Sequence, residues 1–246
     1  EKYPRCLETH RLLGKAHLEL RQYDKSESTF KKVLSFVPDD FIANLGMSLL
    51  REKQTNLDGT IWHMERAFEA QSTNTAIQNE LRRLYKQRDG VDPNRVNLTR
   101  GGLIRMYMRG EMVPQALNEI QSILAEDPSR MDIRILQTEA LLLANRKDEA
   151  LEICKNILNE LPYCYAANRF LFENRPPSTK IEEVETLQQR LRELDPYYEF
   201  TSPTQPEPDS VKEEEVFIEI PEGLGLKTAT TQGSSYQSSA QSTFRQ

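Results

Sequence analysis

The sequence predicts an all-α solenoid, a stack of helix–turn–helix units followed by a disordered tail, and three observations carry that prediction. Ala116, Ala150 and Val184 stand one 34-residue step apart, and Pro128, Pro162 and Pro196 repeat at the same interval. Pro4 and Pro38 are also 34 residues apart, with Ser26 and Phe30 at the matching inner positions of that earlier unit. A period of this length suits a pair of short helices that cannot bury its apolar face alone and must stack on its neighbours.

The units follow in order. In residues 7–40 the first helix carries Leu7, Leu13, Leu18 and Leu20, with Gly14 where two helices approach closely. After a turn near Arg21–Gln22 the second helix presents Tyr23, Ser26, Phe30 and Val33, and Pro38-Asp39-Asp40 stops it and caps the next helix. Residues 41–74 read Phe41, Leu45, Leu49 and Leu50 on one helix and Ile61, Met64, Ala67 and Phe68 on the other. Asn56 to Gly59 mark the turn between them, and Ser72 replaces the closing proline.

The period breaks in the third unit, a partial one over 75–96. Ile77, Leu81, Leu84 and Tyr85 predict a lone helix, which Asp89-Gly90-Val91-Asp92-Pro93 ends as a turn cluster. The next in-phase unit starts near Asn97, about twelve residues early, so a bend is expected at 89–96. The unit at 97–130 has Leu98, Leu103, Ile104 and Tyr107, then Ala116, Leu117, Ile120 and Leu124; Gly110 ends its first helix and Pro114 fits the opening turn of its second. Residues 131–164 carry Ile133, Leu136 and Leu141, a turn at Asn145, then Ala150, Leu151, Cys154 and Ile157. The last unit, 165–198, uses Ala167, Phe170 and Leu171; after Pro176-Pro177 come Ile181, Val184, Leu187, Leu191 and Leu194 on a helix whose other face is Glu-, Gln- and Arg-rich, as a capping helix requires.

The array thus occupies residues 1–198, and residues 199–246 read as a disordered acidic tail rich in Pro, Ser, Thr and Gln. One strand-like island, Val216 to Pro221, follows Glu213-Glu214-Glu215 and has the composition of a short binding motif, a self-inhibitory ligand in one reading. The chain opens on Glu1, with Pro4 already at a repeat-closing position, which suggests a fragment beginning at the tail of an earlier repeat.

The formal charge is −6, of which the segment 201–246 carries −4 with three basic residues against seven carboxylates. A nearly neutral body argues against nucleic-acid binding, which needs a broad basic footprint. No run of eighteen apolar residues exists and no secretory signal opens the chain, so neither a membrane partner nor an exported protein is expected and the chain is read as cytoplasmic. Cys6, Cys154 and Cys164 form neither a zinc spacing nor a disulfide framework and read as reduced thiols.

This pattern resembles the tetratricopeptide repeat family, whose signature sets a large residue, Leu-Gly and Tyr in the first helix and Ala, an aromatic, Ala and Pro in the second. Leu13-Gly14, Tyr23, Phe30 and Pro38 match it in the first unit; Tyr107, Ala116 and Pro128 in the fourth; Ala150 and Pro162 in the fifth. Departures are Ser72 for Pro, Arg82 and Thr138 at the usual Gly position, and the broken third unit. The resemblance implies a right-handed superhelix whose first helices line a concave groove for peptides or partner helices. Carried onto this chain, the groove positions place Asn79, Arg83, Lys86, Arg105 and Arg109 at its centre and Arg169 further along, beside Ile135, Glu139 and Leu142. Such a basic centre next to apolar positions would suit an acidic, partly hydrophobic protein segment. Arg11 and Lys15 stand where the family's carboxylate clamp begins, but Gly46 and Leu49 do not continue it, so the clamp is not transferred.

No phosphate loop, metal-spaced histidine pair or nucleophile elbow occurs, and His10, His17 and His63 are scattered. Trp62 reads as a packing residue of its helix. The expectation is a non-enzymatic interaction scaffold without cofactor or metal; its alternative is the regulatory or docking region of a larger enzyme or signalling protein.

Overall fold

The computed structural model describes residues 3–198; the tail and its 213–221 island lie outside the described residues. Among the described residues all regular structure is helical, in eleven segments: α1 (Leu7–Glu19), α2 (Tyr23–Phe36), α3 (Phe41–Lys53), α4 (Leu57–Ala70), α5 (Thr75–Asp89), α6 (Arg100–Arg109), α7 (Val113–Glu126), α8 (Met131–Leu143), α9 (Lys147–Glu160), α10 (Tyr165–Asn174) and α11 (Ile181–Leu194). The pairs α1–α2, α3–α4, α6–α7, α8–α9 and α10–α11 are hairpins, each packed on the next, with α5 packed on α4 as an unpaired helix. The described residues therefore form an all-α array of stacked helix–turn–helix units.

The same turn builds four of the hairpins. Arg21, Thr55, Glu111 and Asn145 all have φ near +58°, a conformation side chains adopt at a cost, and each sits at the same place in its unit. The first pair and the last pair are 34 residues apart, whereas Thr55 and Glu111 are separated by 56, two periods less 12. The tight turn leaves three residues between helices, so Asn56 is the cap of α4, accepting from the Gly59 N–H, and Gly59 lies inside the helix rather than in the turn.

Where paired helices cross, small residues meet large ones. Phe30 is fully buried between Gly14 and Gly46, where a Cβ would lie 2.5 Å and 2.2 Å from its ring. In the fifth unit the equivalent place exchanges the sizes: Thr138 stands where Gly14 does and Cys154 where Phe30 does, the two touching at 3.8 Å. Side-chain hydroxyls seal the first two crossings in opposite directions, Ser26 donating to the Gly14 carbonyl and Ser48 to that of Thr60, each at 2.9 Å. Ala116 and Ala150 are wholly buried at their crossings.

The turn between units has its own device. Asn44, Gln78 and Asn168, each the fourth residue of its unit, donate side-chain N–H groups to the carbonyls of Pro38, Ser72 and Pro162. Proline supplies no N–H but its carbonyl still needs a donor. Ser72 keeps this bond without the ring, which explains how the second unit closes in phase without its proline.

The third unit has no second helix. α5 packs on α4, and α6 packs directly on α4 in turn. At this joint Glu69 is buried among Arg66 at 2.9 Å, the Thr99 hydroxyl at 2.7 Å and Arg130 at 3.8 Å, and Arg130 also holds Asp132. Gly101 makes the approach possible, because a Cβ there would lie 2.4 Å from the Glu69 carboxylate.

The first and last hairpins touch. Arg5 donates to Glu193 at 2.6 Å and lies over the Tyr163 ring, which also meets the edge of Phe36. His10 packs against the other side of this group, its ring 6.1 Å from Phe36. The expected apolar face of α1 is corrected accordingly: His10 and Gly14 are buried, while Leu13 and Leu20 are exposed. Leu98 precedes α6 and is exposed, as are Ile181 and Trp62; the indole lies under the Arg66 guanidinium at its helix surface.

Candidate functional site

A recess of about 400 Å³ opens on the side of the array formed by first helices. It belongs to three of them: α6 contributes Met108, α8 contributes Ile135, Glu139 and Leu142, and α10 contributes Phe170 and Arg169. Cys154 and Ile157 of α9 reach it from the layer behind. Its walls are mostly apolar because Leu142 lines it together with Ile135 and Phe170, which belong to the cluster around Cys154 and Ile157. Thr138, smaller than an aromatic and turned back to donate to the Arg134 carbonyl, leaves the recess its depth.

Charged groups stand around this apolar surface. Arg105, half-buried, pairs across the array with Asp39 of the α2–α3 turn at 2.6 Å, yet its buried Nε–H has no acceptor among the described residues. Arg169 donates to Glu173 one turn away at 2.8 Å. Glu139 has neither a hydrogen bond nor an ion pair among the described residues. Its carboxyl is reached by solvent but set deep enough that burial, aided by nearby Asp39, raises its pKa above the usual carboxylate range, against the pull of Arg105 and Arg169.

The six residues placed at the groove by the repeat positions fall into two groups. Arg105, Arg109 and Arg169 stand on α6 and α10, the helices of the recess; Arg109 is exposed. Asn79, Arg83 and Lys86 stand on α5, exposed. Arg83 pairs with Glu80 and Glu52, and Lys86 approaches Asp92 at 3.6 Å. Four of the five cations are thus already matched with carboxylates. Sequence position locates the lining helices but not Asp39, which enters from a turn 66 residues earlier in the chain.

The buried cysteines are poor nucleophiles: burial pushes the Cys154 thiol up to about 12 and the Cys164 thiol up to about 11. Among the described residues no group of three metal-ligating side chains comes together, and no helix is long and apolar enough to cross a membrane.

No family model and no curated protein matches the chain. Solved structures do match in part. MamA of AMB-1 is 18% identical with a TM-score of 0.31, covering 76% of this chain and 97% of its own. TTC0263, a thermophilic TPR protein in Thermus thermophilus, is 16% identical with a TM-score of 0.31, covering 78% of this chain and 92% of its own. MamA of MSR-1 is 16% identical with a TM-score of 0.29. Superposition at this level says nothing of what the recess receives.

Proposed function

We propose that the chain is a non-enzymatic interaction scaffold whose recess on α6, α8 and α10 receives a segment of a protein partner. The observation that carries this reading is an apolar, side-chain-sized opening that the array leaves beside the charged groups of Glu139, Arg169 and Glu173. Pockets of this size with a few convergent polar groups suit anchored recognition of a peptide. Arg105, Arg109 and Arg169 would act at the recess itself, with Asn79, Arg83 and Lys86 on α5 as outlying contacts. Location in the cytoplasm is part of the same proposal.

The test is selection of binders from a displayed random-peptide library, followed by calorimetry on Leu143→Glu, which changes an exposed recess residue, and on Leu12→Glu, an exposed control on α1. Selected peptides should lose at least tenfold in affinity against the first variant and nothing against the second. Equal affinity for both variants and the wild type would overturn the assignment.

A further inference from the structure

We infer that the recess selects a basic anchor, a lysine or arginine side chain whose aliphatic stem lies along the apolar walls and whose cationic head meets Glu139. This rests on the reading of the recess as a peptide site and sets its partner chemistry against the acidic segment that the count of arginines on these helices suggests.

The argument is a matter of which charges remain unmatched. Arg105 and Arg169, the cations that act on Glu139, are bonded to Asp39 at 2.6 Å and Glu173 at 2.8 Å. An incoming carboxylate would have to compete with carboxylates already in place. The charges that bear on Glu139 are Arg105, Asp39 and Arg169, and Arg109 is not among them. Of the charged residues that line the recess, Arg169 is bonded to Glu173, so the negative charge of Glu139 is left without a partner. That charge sits in an opening walled by Ile135, Leu142 and Phe170. An unpaired, solvent-reached carboxylate beside apolar walls is matched by a group that is apolar along its length and cationic at its tip, the shape of lysine and arginine side chains.

The full chain should be tested against immobilised peptide pools that are random except for one fixed central residue: lysine, arginine, norleucine, phenylalanine or glutamate. Wild type and Glu139→Gln are compared, with helicity and melting temperature measured on both; Glu139 has no bond to lose, so the two should fold alike. Expected is retention of the lysine and arginine pools at least fivefold above norleucine and glutamate, with that preference falling to about onefold in Glu139→Gln while norleucine retention is unchanged. A wild type that prefers glutamate or norleucine, or a lysine preference that survives Glu139→Gln, would overturn the basic anchor while leaving the peptide reading intact. Failure to retain any pool would overturn both.

Discussion

Phe30 shows what one side chain can demand of its surroundings. Its ring takes space that Gly14 and Gly46 leave on two different helices, so a methyl added at either place has nowhere to go. Gly46→Ala should lower stability by about 1–3 kcal/mol, with most of the loss recovered in the double variant with Phe30→Leu; a denaturant series on the four proteins measures both. Gly14 is legible in the sequence as the glycine of a close approach, whereas Gly46 reads as an unremarkable residue of an amphipathic helix because its partner is in the preceding unit. His63 poses a different residue-scale constraint. Burial, with Arg51 and Arg66 nearby, lowers its pKa to about 4, and its ring meets Asn44 at 3.0 Å. The unfolded chain takes up that proton near 6.5 and the folded one does not, so the contribution is fully present above 6.5 and declines as the pH falls toward 4. The wild type should lose up to about 2–3 kcal/mol more than His63→Gln between pH 7.5 and pH 4.5 in parallel denaturant titrations.

At the scale of helices, periodicity makes most of the fold legible. Apolar spacing and proline give the hairpins their places, and the turn cluster after Asp89 announces the break. What spacing does not reveal is how the break is filled. Arg66 and Glu69 lie three apart on α4 and carry no signal in the apolar spacing, yet the loss of one helix brings α6 against α4 and buries them with Thr99 and Arg130. Removing one member leaves the other charges without compensation in a place water does not reach. Glu69→Ala should therefore cost about 3–5 kcal/mol, much more than Glu80→Ala on α5, where the pair is exposed; thermal melts of the two variants decide it. The amide-to-carbonyl bonds of Asn44, Gln78 and Asn168 were equally illegible, since Asn and Gln at those places look like ordinary polar residues of a first turn. The same limit applies to the site: unit position reaches Arg105 and Arg169, but their carboxylate partners come from a turn and from the next helical turn, and only folding decides which charge is left over.

At the scale of the array, Arg5, Tyr163 and Glu193 join residues from opposite ends of the described chain. Arg5→Glu places like charges at 2.6 Å and should separate the ends: the distance between spin labels at Lys15 and Glu182 should lengthen while helicity is retained. An unchanged distance would show that the aromatic contacts of Phe36 and Tyr163 hold the ends together on their own.

Joined ends also alter what a repeat means. In a free stack, each hairpin can change pitch by a few degrees and the error simply accumulates toward solvent. Here the sum of all the pitches is constrained by the contacts that join the ends, Arg5 with Glu193 and Phe36 with Tyr163, so a twist altered at any hairpin has to be undone at another. Splicing one more 34-residue module between Leu7 and Leu194, harmless in an array with loose ends, would leave Arg5 and Glu193 with no common place to meet.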